Sequence, residues 1–168
     1  IRARLVGSEM CIRDSPETGR PIVKLLDLGL ARIEQEEAPS DDSITRSGQI
    51  MGSPDYMAPE QATNARNADT RADVYGLGAT LFQLISGQLP FQGETVMEKL
   101  VARINTDAPP LSTYNKDAPP VLVHIISRMM HRDPAQRFQT AGEVAAVLEA
   151  FVTNPASLSV EKLSLIHI

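Results

Sequence analysis

Apolar positions change their spacing along this chain, and the change divides it. Between Pro21 and Asp27 the run Ile22-Val23-Lys24-Leu25-Leu26 is short, apolar and partly β-branched, which predicts a buried strand. Residues 34–49 (EQEEAPSDDSITRSGQ) are polar and acidic and predict a long exposed loop, a length usually tied to function or mobility. From Thr70 the period is helical, with Val74, Leu77, Gly78, Leu81, Leu84 and Ile85 on one stripe. Thr70 and Asp73 resemble a capping box with Asp in place of Glu, and Gly87 followed by Pro90 predicts the stop. Few charges follow Asp73, so this helix is expected to be central and buried on most sides. A second helix is expected at 94–105, with Val96, Met97, Leu100, Val101 and Ile104 inward and Glu98 and Arg103 facing away. After a Pro-rich loop over 107–120, a third helix is expected at about 120–131, with Leu122, Val123, Ile125, Ile126, Met129 and Met130 apolar. Pro119 and Pro120 suit its first turn, and Pro134 forbids its continuation. A last helix starts at Thr140, with Glu143 completing a capping box and Val144, Val147, Leu148 and Phe151 as its stripe. No internal repeat appears. The pattern gives one strand, a long loop, and then a mainly helical domain.

Composition narrows this only a little. The chain has 168 residues, 42% hydrophobic and 22% charged, which suits a globular domain with its own core and excludes a wholly disordered chain. The net charge of −5 argues against a nucleic-acid partner, since such domains are normally basic. A single cysteine, Cys11, excludes an internal disulfide framework and a multi-cysteine zinc site. No apolar run reaches the ~18 residues of a membrane span. Residues 1–15 (IRARLVGSEMCIRDS) show neither helical nor strand period and no signal-peptide core. They look like the peptides that sequencing-adapter read-through adds to fragmentary gene sequences, and so does LSLIHI at 163–168. The expected division is therefore a non-native leader at 1–15, an organised part at 16–152, and a disordered or non-native tail at 153–168.

Two motifs carry the chemistry. Asp27-Leu28-Gly29 ends the strand, and a carboxylate there followed by Gly can hold a hard cation such as Mg²⁺. Alone, the tripeptide is weak evidence and reads first as a strand-ending turn. Gly52-Ser53-Pro54-Asp55-Tyr56-Met57-Ala58-Pro59-Glu60 is much sharper. With it the chain resembles the activation segment of a eukaryotic-type Ser/Thr protein kinase of bacterial appearance, Asp27-Leu28-Gly29 standing for Asp-Phe-Gly and Ala58-Pro59-Glu60 for Ala-Pro-Glu. Asp73-Val74-Tyr75-Gly76-Leu77-Gly78, Gly87-Gln88-Leu89-Pro90-Phe91 and Asp133-Pro134-Ala135-Gln136-Arg137-Phe138 resemble three further family motifs in family order. The resemblance covers about residues 22–152. It implies a mainly α, kinase-like C-lobe with a short β segment before the activation loop, and no N-lobe.

The resemblance also implies roles. Asp27 would chelate Mg²⁺ bridging the ATP phosphates, Leu28 would keep an apolar plug in place of Phe, and Gly29 would give the backbone freedom to move it. Ser53 is a supporting hydroxyl beside the catalytic centre, and the absence of Trp favours Ser or Thr acceptors over Tyr. Gly52, Ser53, Pro54 and Met57 would shape the pocket for the substrate residue after the acceptor. Glu60 and Arg137 should form a partly buried ion pair, while Tyr56, Pro59 and Gly78 are structural. Asp73 either caps its helix or also anchors the catalytic loop. Ser43, Thr45 and Ser47 are candidate phosphorylation sites, Thr45 first; the competing reading is plain loop polarity. His124 and His131 are read as structural or exposed, and Met57, Met97, Met129 and Met130 as fillers.

Some family parts do not appear. Ile12-Arg13-Asp14 mimics the start of the catalytic loop H-R-D-x-x-x-x-N, but residue 19 is Gly19 rather than Asn, and Asp14 stands too near Asp27, within the suspect leader. Asp14 is rejected as the base. The Gly-rich loop, the phosphate-pairing Lys and its helix Glu are also absent from these residues. The expectation is a fragment of a Ser/Thr kinase, itself inactive, whose complete domain uses ATP, Mg²⁺ and protein substrates in the cytoplasm, any downstream membrane anchor being left open. The alternatives are a non-catalytic, kinase-like binding scaffold and, more remotely, an unrelated helical interaction domain with chance motifs.

Overall fold

The computed structural model describes the backbone of residues 3–4, 9–14, 21–26 and 32–33, and residues 54–64, 68–155 and 158–165. The chain forms two compact units, Ile1–Ser53 and Pro54–Ile168. In the first, β1 (Ala3–Arg4) pairs antiparallel with β4 (Arg32–Ile33), and β2 (Glu9–Asp14) with β3 (Pro21–Leu26). In the second ladder Met10 stands opposite Leu25, and Ile12 opposite Val23. β3 is the strand that the apolar run predicts. β1 and β2 fall within 1–15, where no strand period is visible; pairing with a partner strand, more than local pattern, decides strand formation there. Asp27, Gly29, Ser43, Thr45, Ser47, Gly52, Ser53 and the 34–49 loop lie outside the described residues.

Among its described residues the second unit has helices joined by turns and loops. A 3₁₀ turn at Pro54–Tyr56 leads into α1 (Pro59–Asn64), α2 (Arg71–Ser86), α3 (Val96–Asn105), α4 (Pro120–Met129), α5 (Ala141–Thr153) and α6 (Val160–Leu165). Two more 3₁₀ turns lie at Leu111–Thr113 and Pro134–Gln136. None of the described helices is long and apolar enough to cross a membrane.

Local chemistry explains most of the helix ends, with corrections. Thr70 does not cap α2: its backbone is already helical (φ −60°, ψ −18°), whereas a cap needs extended geometry. Asp69 does the work one residue earlier, its Oδ1 accepting from the Arg71 N–H at 2.9 Å while the Arg71 guanidinium folds back onto the same carboxylate. That bond also raises the pKa of Arg71, against the lowering effect of burial. The other end of α2 is as expected, with Gly87 left-handed at φ 71° and its N–H on the Gln83 carbonyl. Thr95 and Glu98 form a complete capping box on α3. On α5 the Thr140 hydroxyl accepts from the Glu143 N–H, but the Glu143 carboxylate reaches Gln139 N–H instead of closing the box.

α2 lies between two core clusters. Ala72, Tyr75, Ala79 and Phe82 join Ala58, Phe91, Leu111, Ile126 and Met130 on one side. Val74, with Leu77 and Leu81, faces Ile125, Met129, Phe138, Val144, Val147 and Leu163 on the other. α4 divides itself the same way, so α2 and α4 form the seam of the domain. Gly78 sits at their closest approach: a Cβ there would stand 2.8 Å from Met129 Cβ and 2.9 Å from Met130 Cγ. Leu84, counted in the buried stripe, is 75% exposed in the last turn.

α3 departs further from its pattern. Leu100 is buried, but so is Arg103, while Val96, Met97 and Val101 face solvent. Leu100 is buried and Ala102 packs against the first core cluster, but at Arg103 the partner of α3 is polar. It is the main chain of Pro54 and Asp55, whose carbonyl oxygens call for a donor. After residue 152, where no helix is expected, α6 packs Leu163 fully into the core. The Arg128 guanidinium lies 4.3 Å over the Phe138 ring and donates to the Leu163 carbonyl at 3.0 Å. Burial lowers the pKa of Arg128, with Glu143 opposing.

Gly78→Ala should destabilise the chain by about 1–3 kcal/mol through overpacking, although Ala is the better helix former. Urea unfolding against the parent chain measures this; an equal or higher midpoint would show that the seam yields freely.

Candidate functional site

The sequence Asp133-Pro134-Ala135-Gln136-Arg137 builds a presenting device. Asp133 Oδ1 accepts from Ala135 N–H at 2.9 Å, Pro134 fixes the first residue of the 3₁₀ turn, and Arg137 leaves it extended at φ −79°, ψ 173°. The Arg137 side chain is then driven into the domain, where its exposure is 0%. All five of its N–H donors are used. Nη1 donates to Glu60 Oε1 at 2.7 Å and to the Arg71 carbonyl at 3.0 Å. Nη2 donates to Glu60 Oε2 at 2.8 Å and to the Arg132 carbonyl at 3.1 Å. Nε donates to the His131 carbonyl at 2.7 Å. The guanidinium also lies 4.9 Å from the centre of the Tyr75 ring on α2. Pairing and saturation of this kind offset much of the cost of burying a cation.

Glu60 comes from the first turn of α1, which is itself pinned to its neighbours. Gln61 Oε1 accepts from the Ala58 N–H at 2.9 Å, the side-chain half of a cap whose other partner, Ala58, has no hydroxyl to offer. Ala58 is fully buried. The preceding turn, Pro54–Tyr56, is held from two sides. On the α2 side the Tyr56 hydroxyl donates to Gln83 Oε1, and Gly76 lets the Tyr56 carbonyl come within 3.4 Å of where a Cβ would be. On the α3 side Arg103 donates from Nη1 to the Pro54 carbonyl and from Nη2 to the Asp55 carbonyl at 2.8 Å. Lys99 Nζ takes Asp55 Oδ1 at 2.8 Å. Burial pulls the Arg103 pKa below its ordinary value, with Tyr75 and Asp55 opposing. Burial likewise pushes the Tyr75 phenol up to about 12, against the pull of Arg103 and Arg137.

Of the residues singled out by sequence, Pro54, Tyr56, Met57, Pro59, Glu60, Asp73, Gly78 and Arg137 all lie in the helical unit. Pro54 and Tyr56 lie in the clamped turn, Met57 directly after it, and Pro59 and Glu60 in the first turn of α1. Asp73 lies in the first turn of α2 and Gly78 at the seam. Pattern reading missed Arg103, Lys99, Gln83 and Gln61. A signal for the first two existed: Lys99 and Arg103 stand four residues apart, on one face of a helix in an acidic chain.

Compared with known families, residues 12–148 match the protein kinase domain. The chain belongs to the protein kinase family. The match begins at Ile12, within the segment expected to be foreign. Among similar proteins, the Ser/Thr protein kinase Pkn1 of Myxococcus xanthus is 34% identical over 142 residues, 84% of this chain and 20% of Pkn1. The Ser/Thr protein kinase PknL of Mycobacterium tuberculosis is 36% identical over 128 residues, 76% of this chain and 31% of PknL. PknB of Mycolicibacterium smegmatis is 32% identical over 126 residues, 75% of this chain and 20% of PknB. The chain thus spans between a fifth and a third of the length of these relatives. In this member of the kinase family the helical unit is the C-lobe-like part, and the Glu60–Arg137 junction ties its Ala-Pro-Glu segment to the turn before α5.

Arg137→Lys keeps the charge but replaces five donors in a planar fork with three on one nitrogen, and it should cost about 3–5 kcal/mol. Arg132→Lys, at an exposed pair with Asp107 3.9 Å away, should change stability by less than about 1 kcal/mol. Parallel urea titrations of the two variants make the comparison; equal losses would show that the junction is not special.

Proposed function

We propose that this chain is the activation-segment and C-lobe part of an enzyme that moves the γ-phosphate of ATP to Ser or Thr hydroxyls of proteins. The observation that carries this reading is the saturated Glu60–Arg137 junction, which seats residues 54–60 against the helical unit in a chain of kinase family. The roles follow from position. Asp27 is the residue directly after β3, and its carboxylate would hold Mg²⁺, whose chemistry is the neutralisation of phosphate charge. Ser53 is a supporting hydroxyl beside the catalytic centre, and Gly52, Ser53, Pro54 and Met57 shape the space for the substrate residue that follows the acceptor. Asp73 anchors the catalytic loop from the first turn of α2. Thr45, with Ser43 and Ser47 as neighbours, takes the activating phosphate, whose charge of about −2 would order the loop against basic residues.

Residues 1–168 by themselves are read as inactive, because they hold no H-R-D-x-x-x-x-N, Gly-rich loop or strand Lys. The reading places residues 16–152 in the kinase domain and the enzyme in the cytoplasm. One departure favours the second reading, a non-catalytic scaffold: Leu28 stands where the family has Phe. The departure is mild, since Leu keeps an apolar plug.

The test is labelled phosphate transfer from ATP-Mg²⁺ to mixed Ser/Thr peptides, using the open reading frame extended upstream of Ile22. The extended protein should label the peptides, its Asp27→Ala variant should lose at least about 10²-fold in kcat, and the 168-residue chain should label nothing. A folded extended protein that binds a substrate protein but transfers no phosphate would establish the scaffold instead.

A further inference from the structure

We infer that Arg103 of α3 is a positioning residue for the substrate-facing turn Pro54–Tyr56, and that α3 thereby sets which residue is accepted after the phosphorylated Ser or Thr. The inference rests on the kinase reading above and extends it to a helix that carries none of the family motifs quoted from this sequence.

The placement of Arg103 is costly. Its exposure is 1%, and its hydrogen bonds go to two main-chain oxygens, Pro54 and Asp55. The adjacent carboxylate, Asp55, is bonded to Lys99 instead. Arg103 Nε and the Tyr75 hydroxyl are both buried with no hydrogen-bond partner, although the two groups are close enough for each to shift the other's pKa. A buried cation matched by dipoles rather than by an anion contributes less stability than an apolar side chain of similar volume often does. What a guanidinium supplies that an apolar chain cannot is geometry. Its planar fork binds two consecutive carbonyls at once, and because each peptide unit is planar this fixes the direction of both peptide planes. The path of the chain into Tyr56 is then determined. Phe91, with its ring centre 5.3 Å from the guanidinium, stacks against the fork and limits its swing. Lys99, one helical turn earlier, holds the Asp55 side chain, and Gln83 of α2 holds Tyr56 from the other side. The turn is therefore gripped at every residue, and α3 provides three of the four bonds.

Two measurements test this. The first is amide hydrogen exchange on the 168-residue chain and its Arg103→Met variant. Exchange across 55–60 should quicken roughly ten-fold, while α4 and α5 keep their protection. Unchanged exchange across 55–60, or an equal rise everywhere, overturns the clamp. The second uses the extended, active protein with acceptor peptides that vary only in the residue after Ser or Thr. Arg103→Met should raise KM roughly ten-fold for preferred peptides, flatten the preference and leave kcat within about two-fold. Arg103→Lys, which restores charge but not the fork, should behave like Arg103→Met. Rescue by Lys would show that charge alone matters, and it would overturn the positioning role, as would unchanged KM and preference in Arg103→Met. If the parent protein transfers no phosphate to any peptide, the kinase reading fails and the substrate half of this inference with it, while hydrogen exchange still decides whether the clamp exists.

Discussion

A guanidinium with no exposed surface is costly for every donor it leaves unbonded, and much of this domain is arranged so that Arg137 leaves none. Its five donors draw together the first turn of α1, the first residue of α2 and the two residues before Asp133, which caps the 3₁₀ turn that presents it. Tyr75 lies against its face from α2. Segments that are far apart in sequence therefore share one acceptor shell. α1 is only six residues long and could not hold its place by helix formation alone. Its position is borrowed from the junction, from the Gln61 cap and from the burial of Ala58.

The second constraint is steric. α2 and α4 approach so closely at Gly78 that no side chain fits between them, and both helices divide their residues between two core clusters across that contact. The α2–α4 seam is thus a fixed axis. The turn at 54–56 is bonded to α2 through Gln83 and to α3 through Arg103 and Lys99, so the fixed axis supplies one jaw of the clamp and α3 the other.

Much of this was legible in the sequence, for identifiable reasons. β3, α2, α4 and α5 announce themselves by period and punctuation, and Gly87 stops α2 where a left-handed residue is required. The Glu60–Arg137 pair was readable because both ends sit in distinctive motifs. The start of α2 was misread by one residue, because Thr and Asp at 69–70 both cap well and only the backbone angles decide between them. α3 was rotated in the reading because hydrophobic periodicity assumes an apolar neighbour. Part of its surroundings is a pair of carbonyl oxygens, which takes Arg103 inward, while Met97 is exposed. β2 and α6 were missed for a related reason: their order depends on partners, β3 for one and Arg128 with the core for the other, that local pattern does not reveal.

The acceptor shell of Arg137 has one more property. Three of its five acceptors are main-chain oxygens, at Arg71, His131 and Arg132, and every amino acid carries such an oxygen. Only Glu60 contributes through its side chain. As a lineage of this domain diverges, the side chains at 71, 131 and 132 can change without removing an acceptor. The junction itself amounts to a two-letter word, one acidic and one guanidinium residue 77 positions apart, that has to be inherited together or lost together.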